Sequence, residues 1–237
     1  MLAQALHDVL QRLDNASRHA GRPTPRLLAV SKTRAAADVA ALASALREAC
    51  PGQAPAFGEN YVQEAAAKVA ELTPRDIEWH LIGHLQSNKA AQAAALFDWV
   101  QTVDRAKLVP LLARHRAEDR EALNVLVQVN IDDEASKHGC APRDVEALAS
   151  RIAGESRLVL RGLMAIPAPH PDPGRRRAAF RAMRELHDRL REAHPGADTL
   201  SMGMSDDLEL AIAEGATMVR VGTALFGSRN QEPGAGS

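Results

Sequence analysis

Eight short apolar runs, each followed by a stretch of helical periodicity, constrain this chain more than any other feature. The runs cover residues 26–32, 56–60, 77–83, 99–103, 123–131, 158–166, 199–204 and 218–221. They are continuous rather than alternating, which is the pattern of parallel strands buried on both faces. Helical spacing is read at 2–20, 35–48, after Asn60 to Leu72, 88–97, from Asp104 as N-cap to Arg116, 143–153, 175–193 and 206–214. No hairpin signal separates any pair of strands. Eight strands with intervening helices make a single (β/α)8 TIM barrel, here with an additional N-terminal helix. A doubly wound sheet would need fewer strands and a glycine-rich first turn, which is missing. The barrel is expected over 1–229, and the polar, glycine-rich residues 230–237 read as a disordered tail.

The length of 237 residues suits one such domain. With four Phe, two Trp and one Tyr, the core has to be built from aliphatic side chains. A formal net charge of −1 gives no electrostatic reason for a nucleic-acid or membrane partner, and Arg175–Arg177 reads as a solvated helix face. No apolar run approaches the ~18 residues of a membrane span, and the start of the chain lacks a basic leader. Cys50 and Cys140 sit in unrelated loop contexts without metal or disulfide spacing. A cytoplasmic protein with two free thiols is expected.

In a barrel, reactive groups collect at the carboxyl ends of the strands. Read in order, those ends carry Lys32, Asn60, Gly83-His84, Asp104, Asn130, Pro167, Met204-Ser205 and Gly222-Thr223. Closure brings the first strand beside the eighth, so Lys32 faces Arg220–Thr223. An ammonium ending a buried strand is a candidate imine-forming nucleophile, against the simpler reading of a lysine that snorkels into water. The loops after strands seven and eight are frequent phosphate sites. Here they offer Ser205, at the opening of a helix, with Gly222 and Thr223. Taken singly, Ser205 is equally a helix cap and Gly222 a turn glycine; Asp206 and Asp207 have to point outward to leave room for an anion.

A lysine beside a phosphate cup fits either pyridoxal phosphate or a phosphosugar aldehyde. Arg220 shares a strand face with Gly222 and points inward. A guanidinium donates to a ring nitrogen without surrendering its proton, which suits pyridoxal held as a weak electron sink. The competing role for Arg220 is a buried ion pair. His80 and His84 lie on a strand-to-loop segment rather than one helix face, so no metal pair is expected there. Lys137, in the polar loop 132–141, and Lys89, near a helix start, are second amines that solvent can equally account for.

Five segments carry a family resemblance. They are Phe57-Gly58-Glu59-Asn60-Tyr61-Val62-Gln63-Glu64, Trp79-His80-Leu81-Ile82-Gly83-His84-Leu85-Gln86-Ser87-Asn88-Lys89, Gly162-Leu163-Met164-Ala165-Ile166-Pro167, Ser201-Met202-Gly203-Met204-Ser205-Asp206-Asp207 and Val219-Arg220-Val221-Gly222-Thr223-Ala224-Leu225-Phe226-Gly227. In these the chain resembles the YggS/PROSC family of pyridoxal phosphate homeostasis proteins. Leu81 stands where that family usually has Phe or Met, and Ala93 where it has a larger aliphatic residue.

The resemblance implies a barrel like the N-terminal domain of alanine racemases, with pyridoxal 5′-phosphate held on Lys32 as an internal aldimine. It implies phosphate contacts from Ser205, Gly222 and Thr223 beside Met204, a ring contact from Arg220, and Asn60 near the ring. It also implies intracellular cofactor supply without a full racemase site, since the single tyrosine, Tyr61, reads as a packing or helix-start residue. No catalytic residue and no metal is assigned. Apo pyridoxal-phosphate enzymes are the expected recipients, and the chain is expected to be a monomer or weak dimer. The alternative is a racemase-like enzyme of low activity; a phosphosugar aldolase and a protein-binding scaffold are the other classes considered.

Overall fold

Each of the eight apolar runs forms one strand of a closed parallel barrel. Strand order follows the chain, and the last strand pairs with the first. The computed structural model describes residues 2–72, 76–134 and 137–227. The strands are β1 (Arg26–Val30), β2 (Ala56–Glu59), β3 (Glu78–Leu81), β4 (Trp99–Val103), β5 (Leu123–Gln128), β6 (Leu158–Met164), β7 (Thr199–Ser201) and β8 (Met218–Val221). The helices are α1 (Leu2–Ala20), α2 (Ala36–Ala49), α3 (Val62–Glu71), α4 (Ala90–Leu96), α5 (Leu108–His115), α6 (Val145–Ala153), α7 (Pro173–Ala193), α8 (Leu208–Ala213) and α9 (Thr223–Phe226). The expected tail at 230–237 lies outside the described residues. No described helix is long and apolar enough to cross a membrane.

The N-terminal helix has a structural task. The helix after β8 is a single turn of four residues, too short to cover that side of the barrel. Helix α1 occupies the place instead, packing against α2, α8 and α9 through Leu6, Val9 and Leu13. Arg12 Nη2 adds a 2.7 Å hydrogen bond to Glu209 Oε2 on α8.

Two layers of core result. Between strands and helices lies a continuous aliphatic shell with few aromatics, including Val39, Leu42, Leu112, Val125, Ile152 and Leu200. Inside the barrel are two small apolar groups, Leu28, Ala56, Ile82 and Met218 on one side and Trp99, Leu126 and Met164 on the other. Alternate residues of each strand point inward, and several of those between the two groups are polar.

Two glycines set strand spacing. Gly162 has φ +135°, and a Cβ there would lie 1.9 Å from the Thr199 carbonyl oxygen, so only glycine lets β6 approach β7. At Gly83 a Cβ would lie 2.0 Å from the Asn60 carbonyl oxygen, which locks the loop after β3 against the loop after β2.

Several sequence expectations change at element ends. Strand β5 stops at Gln128 rather than at residue 131, because Val129 leaves the sheet to bridge Cys140. Strand β7 is three residues long, and α8 begins at Leu208, not at 206. Asp104 does not cap α5, which begins four residues later; its carboxylate instead accepts a 2.5 Å hydrogen bond from Arg105 Nη1. The arginine-rich start of α7 is not wholly solvated. Arg177 Nε and Arg184 Nη1 each reach the buried Glu214 carboxylate at 2.7 Å, fastening α7 to the end of α8.

Candidate functional site

The chain leaves β1 through Ser31, Lys32 and Thr33, and each peptide of this turn is held from below. Ser31 N–H donates to Gly58 O at 3.0 Å, and Ser31 Oγ donates to Glu59 Oε1 at 2.5 Å. Lys68, on α3, places its buried ammonium under the turn. Its Nζ donates to Ser31 O at 2.6 Å, to Glu59 Oε1 at 2.7 Å and to Glu64 Oε1 at 2.8 Å. Glu64 Oε1 also accepts from the Thr33 N–H. Thr33 sits at φ +63°, a left-handed conformation unusual for threonine. Both sides of Lys32 are thus clamped by one Glu59–Lys68–Glu64 network. Lys32 itself is half-buried, and its Nζ enters no ion pair among the described residues. Burial pushes the Glu59 carboxyl up, against the opposing pull of Lys68 and Ser31.

Strand β8 runs alongside, with Ala29 opposite Val221. Gly222 packs directly on Val30: a Cβ at Gly222 would lie 3.3 Å from Val30 Cβ and from its carbonyl oxygen. Lys32 and Gly222-Thr223 therefore leave the sheet from neighbouring strand ends, as the strand count requires. Thr223 is exposed and Gly222 half-buried.

The loop after β7 joins the same rim, since Arg220 N–H donates to Gly203 O at 3.0 Å. Ser205 does not open a helix; it lies in the turn before α8. Asp207 turns back within that loop, its Oδ1 accepting from Met204 N–H at 2.7 Å, which occupies one carboxylate oxygen. Met204 is 43% exposed. Asn60 directly follows β2, half-buried against Gly83. Tyr61, expected as a packing or helix-start residue, does begin α3, but it is 65% exposed and does not pack.

Arg220 is 3% exposed and points into the barrel. Among the described residues no carboxylate pairs with it directly. Its Nη1 donates to Ser201 Oγ at 2.8 Å and its Nη2 to Ala165 O at 2.7 Å. Burial lowers its pKa to about 10, so it remains cationic at neutral pH. Ser201 begins a polar chain through the interior. Ser201 Oγ donates to Gln101 Oε1 at 2.7 Å, Gln101 Nε2 lies 2.9 Å from His80 Nδ1, and His80 Nε2 lies 2.6 Å from Glu78 Oε1. Arg26 Nη1 completes the chain 2.7 Å from that same oxygen.

The partners assign the protons. Gln101 donates to Nδ1, so a neutral His80 carries its hydrogen on Nε2 and donates to Glu78. Burial lowers the His80 pKa, in keeping with that neutral form. Burial raises Glu78, but His80 and Arg26 outweigh it and hold the carboxylate at about 2.

Around the rest of the mouth, Lys137 Nζ lies 3.5 Å from Glu134 Oε2 and 3.7 Å from Asp132 Oδ2. Lys89 ends the short turn Ser87–Lys89 and is half-buried. His80 is buried inside the barrel, and His84 is exposed at its rim. Cys50 and Cys140 are free thiols. Burial, with Asp144 and Asp104, pushes Cys140 up to about 12, so it is not a nucleophile near neutrality.

Sequence reasoning overlooked Ser31, Glu59, Glu64 and Lys68 as the support of Lys32, and Gln101 and Ser201 as the support of Arg220. The available signal was polar residues within apolar strands: Glu59 after Phe57-Gly58, Gln101 between Val100 and Thr102.

A parallel barrel with a half-buried lysine in the turn after its first strand defines a class. The model of the alanine racemase N-terminal domain family matches residues 5–230, and the chain belongs to that family. Within it, the chain is 49% identical over 231 residues to the pyridoxal phosphate homeostasis protein of Pseudomonas aeruginosa, covering 97% of this chain and 96% of that one. It is 44% identical over 234 residues to the protein of the same name from Escherichia coli, covering 97% of both. Among solved structures, PipY of Synechococcus elongatus with pyridoxal phosphate bound superposes with a TM-score of 0.80 at 37% identity, over 96% of this chain and all of PipY. Alanine racemase of Corynebacterium glutamicum shares the fold at a TM-score of 0.61 and 20% identity, over 96% of this chain and 63% of the racemase.

Proposed function

We propose that this chain binds pyridoxal 5′-phosphate covalently through Lys32 at the barrel mouth and serves as an intracellular carrier that buffers and supplies the cofactor. The observation that carries this reading is the convergence at one rim of a clamped, half-buried Lys32, the glycine-lined Gly222-Thr223 turn and a buried cationic Arg220. The donor set suits the cofactor. Lys32 offers an amine held in place on both sides. Gly222 presents backbone without a side chain, and Thr223 and Ser205 add hydroxyls for a phosphate. Arg220 donates without losing its proton. Asn60 and Met204 border the same rim. Pyridoxal phosphate, when bound, supplies an aldehyde that condenses with amines and a ring that delocalises charge.

The names of the homeostasis relatives and the ligand in PipY support this assignment. A carrier rather than a two-base racemase is supported by Tyr61, the only tyrosine in the sequence, which is turned to solvent at the start of α3. Apo pyridoxal-phosphate enzymes are the natural recipients. Cytoplasmic residence is in keeping with the two free thiols. Large exposed apolar side chains among the described residues are few and scattered, in keeping with a monomer or weak dimer.

Borohydride treatment of the purified, cofactor-loaded protein tests the assignment. One adduct is expected, on the peptide containing Lys32, and it should vanish in Lys32→Ala. An adduct on another lysine, or none, overturns it. Fast exchange of the α-proton of L-alanine in deuterated water would instead establish a racemase-like enzyme.

A further inference from the structure

His84, Asp104 and His138 come together at the rim from three successive loops, those after β3, β4 and β5. One donor atom from each lies within 4.8 Å of the other two. The His84 and His138 rings stack with centroids 3.7 Å apart and planes 14° from parallel. Asp104 Oδ2 lies 3.7 Å from His84 Nδ1, beyond a hydrogen bond. We propose that these three side chains form a binding site for a late first-row divalent cation of the zinc type, separate from Lys32.

The carboxylate is already aimed. Asp104 Oδ1 is held by Arg105 Nη1, whose Nη2 in turn donates to Leu85 O at 2.7 Å. A ligating carboxylate fixed by an outer hydrogen bond is the usual second layer of a metal site. That arrangement leaves Oδ2 on the His84 side, 3.7 Å from Nδ1. With metal–ligand bonds of ~2.0 Å, tetrahedral donors sit ~3.3 Å apart. The observed separations therefore have to close by an ångström or so, which exposed histidines on loops reach by side-chain rotation. The backbone is steady at one corner, because Gly83 packs on Asn60 and its carbonyl accepts from Thr102 Oγ1 at 2.8 Å.

Donor chemistry selects the ion class. Two imidazoles and one carboxylate favour zinc, nickel or copper over magnesium and calcium, which prefer all-oxygen shells. Three protein ligands leave at least one position for water or an exogenous donor. The arrangement is not visible in sequence order, because His84 and His138 are 54 residues apart and meet across β4, from the loops after β3 and β5.

The test is calorimetric titration of the purified, EDTA-treated protein with zinc chloride, repeated with cobalt(II) chloride and read by visible absorbance. One equivalent of zinc is expected to bind with a dissociation constant in the micromolar range or below, and cobalt should develop d–d bands. His84→Ala and His138→Ala should each weaken binding at least tenfold, and Asp104→Asn several-fold, with circular dichroism unchanged. His19→Ala, on α1, should leave binding as it was. Lys32→Ala should also retain it, since the metal does not need the cofactor. The inference is overturned by absence of binding at zinc concentrations well above the micromolar range, by unaltered affinity in a His84→Ala/His138→Ala double variant, or by loss of binding in Lys32→Ala.

Discussion

Replacing Lys68 by Met probes the support of Lys32 without touching Lys32. The substitution keeps the unbranched apolar stem but removes the ammonium that joins Ser31 O, Glu59 and Glu64. Glu59 is fully buried, and its Oε2 already lacks a hydrogen-bond partner. Removing one member of a buried ion pair costs about 3–5 kcal/mol, mostly as the charge left uncompensated. For a domain of this size that corresponds to a fall in melting temperature of roughly 6–20 °C.

The loss should depend on pH. Burial raises Glu59 even with Lys68 present, and without it the carboxyl rises further. A raised carboxyl contributes stability that is present below its unfolded value of ~4.3 and lost as pH rises through its folded value. Lys68→Met should therefore be most destabilised, relative to the parent, near neutral pH and less so toward pH 5. Glu59→Gln combined with Lys68→Met should recover part of the loss, giving a clear coupling term in a double-mutant cycle. Urea unfolding of cofactor-free protein at several pH values measures this, and cofactor uptake should slow in parallel as the Lys32 turn loosens. A change below about 1 kcal/mol at pH 7, or full additivity in the cycle, would refute the argument, since exposed pairs behave that way.

Other outcomes follow from the same geometry. Burial depresses His80 and His187, so stability is fully present above ~6.5 and falls as pH drops below it, with a slope approaching about 2.7 kcal/mol per pH unit if both contribute a whole proton; His80→Gln should remove about half of that slope in pH-dependent urea melts. Gly83→Ala forces a Cβ into the Asn60 carbonyl and should cost about 3 kcal/mol or more, with poorer cofactor retention read by absorbance of the loaded protein; near-neutral stability would show that the two loops yield freely. Ser201→Ala removes the acceptor of Arg220 Nη1 and the donor to Gln101, and a loss of about 1–3 kcal/mol is expected from thermal melts, with a shifted visible spectrum of the loaded protein. An unshifted spectrum would mean that Ser201 does not position Arg220.

Periodicity revealed the barrel because parallel strands buried on both faces leave continuous apolar runs. Strands β4 and β8 were legible to the residue. The ends of β5 and β7 were not, since Val129 and Met202 are apolar for packing reasons although they lie beyond the ladder, and composition does not distinguish the two. Lys32 and Gly222-Thr223 could be placed together from strand count alone, because closure is a topological fact. The network beneath them could not: Lys68 lies on a helix among alanines, where an exposed lysine is the ordinary expectation. Its burial follows from the height of α3 on the barrel. The His84–His138 stack likewise depends on how far two loops lean inward, which no local pattern encodes.

The chain of side chains from Arg220 to Glu78 has one direction. Arg220 donates to Ser201, Ser201 to Gln101, Gln101 to His80 and His80 to Glu78. No member can reverse alone without two donors or two acceptors facing each other. A change of charge near Arg220 is therefore not absorbed locally; it polarises each bond in turn and reaches the carboxylate at the amino end of β3. The barrel in this sense has an electrical axis as well as a geometric one. Its far terminus is Arg26, half-buried beside Glu78, so the polar chain runs through the barrel from β8 to the amino end of β1.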